Sequence, residues 1–144
     1  MPRMNREALE HFIEHEFPQA HGFSQIVALG DESIELRLPF RDAHLRPGGT
    51  LSGPALMTLA DTGGYYLILS ILGPVVHAVT TSLNINFMRK PRPEDVLAVA
   101  RVLKLGRQLA VVEVSMRSAS SPELVAQATV TYSLPPATQT TSVP

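Results

Sequence analysis

Between residues 47 and 88 the chain carries one formal charge, Asp61, in 42 consecutive residues. A stretch so bare of charge has to be covered by the rest of the chain, by a second copy or by a bilayer. The bilayer reading is disfavoured, because Asp61, Gly63, Gly64, Gly73 and Pro74 break every window of about 18 apolar residues. The expectation is a buried element with one acid in it.

Composition narrows the classes further. At 144 residues the chain suits one domain with a single core. Hydrophobic residues make up 44% and charged residues 17%, against roughly 25% charged in an average soluble domain. Twelve basic and 13 acidic residues leave a net charge of -1, so no global field draws in nucleic acid or an anionic membrane. With no cysteine, a disulfide framework, a thiolate metal site and a cysteine nucleophile are excluded. Residues 1–18 mix charges of both signs without an apolar run, unlike a signal or transit peptide. A cytoplasmic protein is expected.

The pattern predicts an order of elements. A first helix is expected over residues 5–16, with Asn5 as N-cap and Leu9, Phe12 and Ile13 on one face. Strands over residues 23–28 and 33–40 flank a Gly30-Asp31 turn. The second strand should turn Ile34, Leu36 and Leu38 inward and Glu35, Arg37 and Pro39 outward. Residues 45–53 read as a glycine-rich loop. A helix then starts at Pro54, where proline is tolerated, and runs to residue 72 before Gly73-Pro74. It is apolar almost all round and therefore central. Four strands follow, over residues 77–88, 95–105, 108–117 and 124–133. In the first of them Thr80, Ser82, Asn84 and Asn86 alternate with Val79, Leu83, Ile85 and Phe87. Residues 1–134 form one domain, and residues 135–144 a fraying Thr/Pro/Ser tail. An antiparallel sheet wrapped around one apolar helix is the economical packing, an α+β hotdog fold.

A carboxylate inside an apolar helix carries a desolvation cost. Either it reaches solvent or caps a neighbour, or it is a functional base or nucleophile. The helix N-terminus at Gly53-Pro54 offers backbone N–H groups and the positive dipole end to a developing oxyanion. Asp61 follows eight residues later, about 12 Å along the axis. One small electrophilic carbon cannot touch both, so if both act they come from two subunits. Gly63 and Gly64 would then let two helices approach, or simply let this helix sit close to the sheet.

The segments from Gly49 to Asp61, from Thr80 to Pro91, from Leu103 to Arg107 and from Val125 to Tyr132 resemble the PaaI-type acyl-CoA thioesterases of the hotdog superfamily. The likeness spans residues 40–134. It implies that Gly53 donates its N–H to the thioester oxygen and that Asp61 of the other subunit is general base or nucleophile. Thr80 matches a hydroxyl that orients the attacking water. Three positions depart from the family pattern: Ser52 stands for a histidine, Pro54 for a glycine and Arg46 for an asparagine. His44 matches the first histidine of the loop. Ser52 would polarise a carbonyl or cap the helix, and Arg46 would contact the acyl group or CoA. Arg89 and Lys90, with Arg92, cluster where the long strand ends, and Lys104 and Arg107 sit at the next hairpin. These are candidates for the CoA phosphates.

His11, Glu14 and His15 match the H-x-x-E-H zinc pattern, but on a short amphipathic helix they read as a solvated face. No P-loop or G-x-G-x-x-G sequence is present. Met57, Tyr65, Tyr66 and Leu67 serve equally as acyl-pocket lining or as core. The expectation is a homodimeric or homotetrameric acyl-CoA thioesterase that uses neither metal nor cofactor and binds neither nucleic acid nor membrane. A hotdog hydratase or dehydratase and a non-catalytic acyl-CoA-binding module are the alternatives. The first usually pairs its carboxylate with a histidine where Ser52 stands, and the second gains nothing from Asp61.

Overall fold

A computed structural model describes residues 4–75 and 77–136. Helix α1 spans Arg6–Glu16, and its first turn is closed by Asn5, whose Oδ1 accepts the Ala8 N–H at 2.8 Å. Strands β1 (Gln25–Leu29) and β2 (Ser33–Leu38) form a hairpin. Helix α2 spans Gly53–Leu72. After it come β5 (Val79–Phe87), β6 (Val96–Leu105), β7 (Leu109–Ser118) and β8 (Leu124–Ser133). Among the described residues these strands make one antiparallel six-stranded sheet, ordered β1-β2-β6-β7-β8-β5. The sheet curves around α2, the hotdog plan.

Residues 45–53 hold more than a loop. Leu45–Arg46 (β3) and Thr50–Leu51 (β4) pair as a minute hairpin, turned by Gly48 and Gly49 at φ of +103° and +78°. Two-residue strands leave no alternation to detect. The hairpin delivers Ser52 as N-cap of α2, its Oγ accepting the Ala55 N–H at 3.2 Å. Gly73 ends the helix with φ 94°, its N–H donating to the Leu69 carbonyl.

By length and mean hydropathy α2 could cross a bilayer, yet 67% of that window is buried inside the domain. Leu59, Leu67, Ile68 and Leu69 are wholly covered. Ile34, Leu36 and Leu38 turn inward from β2 as their alternation predicts. Gly63 and Gly64 face the sheet, against Leu36 and Tyr132 respectively. Their smallness serves helix-on-sheet packing.

Asp95 fastens β2 to β6. Its Oδ1 accepts the Phe40 N–H at 2.8 Å and its Oδ2 accepts Arg37 Nη1 at 2.9 Å. The Phe40 amide first, and the Arg37 guanidinium second, hold its carboxyl below the usual carboxylate range. A lowered folded-state pKa gives stability that is present above the unfolded value of about 3.9 and is lost as pH falls through the folded value. The melting-temperature advantage of wild type over Asp95→Asn should therefore be full at pH 7 and shrink below about pH 4. An advantage unchanged at pH 3 would contradict this.

Candidate active site

Asp61 lies midway along α2, half-buried. Its Oδ1 accepts the Thr80 hydroxyl at 2.7 Å. The strand that carries Thr80 does not keep the simple alternation its sequence suggests. Thr80 pairs with Tyr132 and Ser82 with Thr131, so Thr81 is an extra residue in β5. This bulge reverses the phase of the strand. Thr80 thus shares the inward face with half-buried Leu83 and Ile85, while Val79 is 58% exposed. Without the bulge, the hydroxyl would point away from the helix.

Tyr132, opposite Thr80 on β8, supplies a second hydroxyl that sequence reasoning passed over. Its O–H donates to the Asp61 backbone carbonyl at 2.7 Å and lies 3.3 Å from Oδ1. Burial, then the Asp61 charge, push the phenol well above its ordinary range, so it stays a neutral donor. The ring reaches α2 because residue 64 is glycine: a Cβ there would collide with the hydroxyl and lie 3.0 Å from ring carbons. A tyrosine in an alternating strand reads as core filler, and only the Gly64–Tyr132 fit reveals its reach.

A cleft of about 480 Å³ opens at Asp61 and Thr80, walled by Phe17, Tyr65 and Val79. Phe17, just past α1, meets Tyr65 edge-on at 5.9 Å between ring centres. Burial raises the Tyr65 phenol and pushes Tyr66 up to about 12. Both therefore remain neutral at physiological pH.

Gly53 stands at the opposite end of the β5 edge. Its backbone lies over Phe87, whose ring would be 3.4 Å from an added Cβ. As the first helical residue it has no intrahelical acceptor for its N–H, and no other backbone acceptor takes it among the described residues. Gly53 and Asp61 of one chain remain about 12 Å apart along the axis. The structure brings Thr80 to Asp61 but not Gly53.

The remaining candidates divide by location. Ser52 uses its oxygen lone pair as the N-cap and keeps its hydroxyl proton to donate. His44, in a 3-10 turn, stacks edge-on with Phe23 at 5.1 Å, and its carbonyl accepts the Ser52 N–H. Lys90 reaches over the Gly48 turn, 3.9 Å from where a Cβ would stand, and Arg46 belongs to the same hairpin. Neither has a polar partner among the described residues. Arg89 is committed, paired with Glu123 at 3.0 Å and bonded to the Leu124 carbonyl. Arg107 lies elsewhere, in a separate cleft with Lys104 and Leu72 at the far end of α2, about 16 Å along the axis from Asp61. Among the described residues no group of three or more His, Cys, Asp or Glu could hold a metal ion.

With the helix, its acid and its capped N-terminus in place, the comparisons with known proteins are specific. Residues 48–132 match the family model described as thioesterase superfamily. The chain belongs to the thioesterase superfamily, as a thioester hydrolase of hotdog fold. A "putative thioesterase" from Silicibacter sp. is 43% identical, with a TM-score of 0.87 over 94% of this chain and 95% of that one. The phenylacetic acid degradation protein PaaI of Thermus thermophilus, in a mutant form, is 26% identical. Its TM-score is 0.71 over 82% of this chain and 99% of that chain. A "putative esterase" of Pseudomonas aeruginosa is 38% identical over 103 residues, which is 71% of this chain and 75% of that protein.

Proposed function

We propose that the chain hydrolyses acyl- or aryl-CoA thioesters to the free acid and CoA, as a homodimer whose sites are shared between subunits. The observation that carries this reading is the Asp61 carboxylate, held by Thr80 on a buried helix and facing a cleft. Subunit sharing is supported by the sheet edge. Among the described residues strand β5 pairs only with β8, and Val79, Phe87 and Met88 are 58%, 53% and 48% exposed along it. Such an unpaired apolar edge is a template for another strand. Two copies joined there by a two-fold axis run β5 antiparallel to β5. The Phe87–Gly53 end of one then meets the Thr80–Asp61 end of the other, which removes the 12 Å obstacle.

The chemistry follows from the donors and acceptors. Thr80 donates to Asp61 Oδ1, leaving Oδ2 to take a proton from a water whose second hydrogen the Thr80 oxygen accepts. The water oxygen bonds to the thioester carbon as the carbonyl becomes an oxyanion. The partner's Gly53 N–H and its helix dipole stabilise that charge. Collapse breaks the C–S bond, and the proton on Asp61 passes to the CoA sulfur. In the nucleophilic variant, Oδ2 itself bonds to the carbon, the C–S bond breaks and CoA leaves as the thiolate. Water then cleaves the resulting anhydride, its OH completing the free acid and its other proton going to the thiolate as the Asp61 carboxylate is restored. Ser52 and His44 line the oxyanion end. Arg46 and Lys90, unpaired beside it, suit the CoA phosphates better than Arg89, which is engaged, or Arg107, which is remote.

The test is release of CoA thiol from a panel of acyl-CoAs of graded length. Turnover of at least one member is expected. Binding without thiol release from any of them would favour the acyl-CoA-binding module and overturn hydrolysis.

A further inference from the structure

The site is electrically lopsided. At the Gly53 end, Arg46 and Lys90 have no acid partner among the described residues. At the Asp61 end, the described lining of the cleft includes two carboxylates, Asp61 and Glu16, and no cation. Between those acids the wall is apolar and aromatic, from Phe17, Tyr65, Ala78 and Val79. The cleft of about 480 Å³ is large enough for a small organic group.

Glu16 has no structural reason to be acidic. It is exposed, it has no partner among the described residues, and it is the last residue of α1. At that end of a helix the macrodipole favours cations and opposes a carboxylate. A residue that breaks a local rule without a compensating contact points to a role outside folding.

Building on the thioesterase reading, we propose that the cleft holds the acyl group and that Glu16, at its mouth, makes the enzyme select uncharged acyl groups against those ending in a carboxylate. A thioester placed across the site lays its phosphates toward Arg46 and Lys90 and its acyl tail toward Glu16. A tail ending in a carboxylate would then enter a wall already carrying two negative charges. No cation in the cleft offsets them, and the apolar wall lowers the local dielectric. A neutral tail carries no charge to be repelled and packs against Phe17, Tyr65, Ala78 and Val79.

The experiment compares hexanoyl-CoA with adipoyl-CoA, equal in chain length and differing by the terminal carboxylate, in wild type, Glu16→Gln and Glu16→Lys. The readout is the ratio of kcat/KM for the two substrates. Wild type should favour hexanoyl-CoA by about tenfold or more, and Glu16→Gln should narrow the ratio by about three- to tenfold. Glu16→Lys should narrow it further, and the wild-type preference should weaken as salt rises past about 0.15 M. Melting temperatures of the variants at or above wild type would show that their folds are intact. Hydrolysis with the same ratio in all three proteins overturns the role of Glu16 and leaves the thioesterase reading standing. Absence of thiol release from both substrates by wild type overturns the selection of an uncharged acyl chain by this cleft, and absence of release from every member of the acyl-CoA panel overturns the thioesterase reading as well.

Discussion

Asp61→Asn lowers kcat for thioester hydrolysis by about 10²- to 10⁴-fold, the range that one positioned general base supplies. The amide keeps the size of the carboxylate, and its oxygen still accepts the Thr80 hydroxyl, which stands at 2.7 Å from Oδ1. It cannot take a proton from water. The loss should therefore fall on kcat, with KM little changed, because the lost interaction belongs to the transition state. Thiol release under substrate saturation checks this, with melting temperature as the control for folding. Activity of Asp61→Asn within about threefold of wild type would remove Asp61 from the mechanism.

Gly64→Ala should destabilise the protein even though alanine is the better helix former. The propensity gain is about 1 kcal/mol, whereas overpacking a core costs about 1–3 kcal/mol. The added methyl meets the Tyr132 hydroxyl and ring. Tyr132 is 1% exposed and opposite Thr80 in the ladder, so it cannot move aside cheaply. A net loss of up to about 2 kcal/mol follows, or up to about 8 °C in melting temperature for a chain of this size. Tyr132→Phe removes the nearest atom of the collision, so the double variant should lose less than the sum of the two single changes. Strict additivity, or a melting temperature at or above wild type for Gly64→Ala, would contradict this packing. Because Tyr132 also holds the Asp61 carbonyl, Gly64→Ala should lower activity as well.

The two effects show what could be read from the chain and what could not. Asp61 was visible because nothing else in residues 47–88 carries a charge. The all-round apolarity of residues 54–72 likewise marked α2 as central, and the sheet that must cover it followed from the strands. Register was harder. The extra Thr81 in β5 reverses which side chains face the helix, and nothing local in Thr-Thr-Ser marks a bulge. The β3–β4 hairpin was concealed by its brevity. Tyr132 was hidden for another reason: its importance lies in a fit with Gly64, 68 positions away, and neither residue is unusual in its own element. The two glycines had two readings, helix against helix or helix against sheet, and the Leu36 and Tyr132 contacts decide for the sheet.

The central claim is that one site takes Gly53 from one subunit and Asp61 from the other. Gly53→Pro removes the N–H at a helical position that tolerates proline, while its ring is added against Phe87 and melting temperature serves as the control for folding. Asp61→Asn removes the base. Each variant alone should be nearly inactive. After the two are unfolded together and refolded as a mixture, each heterodimer has one site with an intact Gly53 and an intact Asp61 if the site is shared. With random pairing, thiol release should recover to about a quarter of wild type. No recovery, with mixed dimers demonstrably formed, would place both groups in one chain and contradict the shared site.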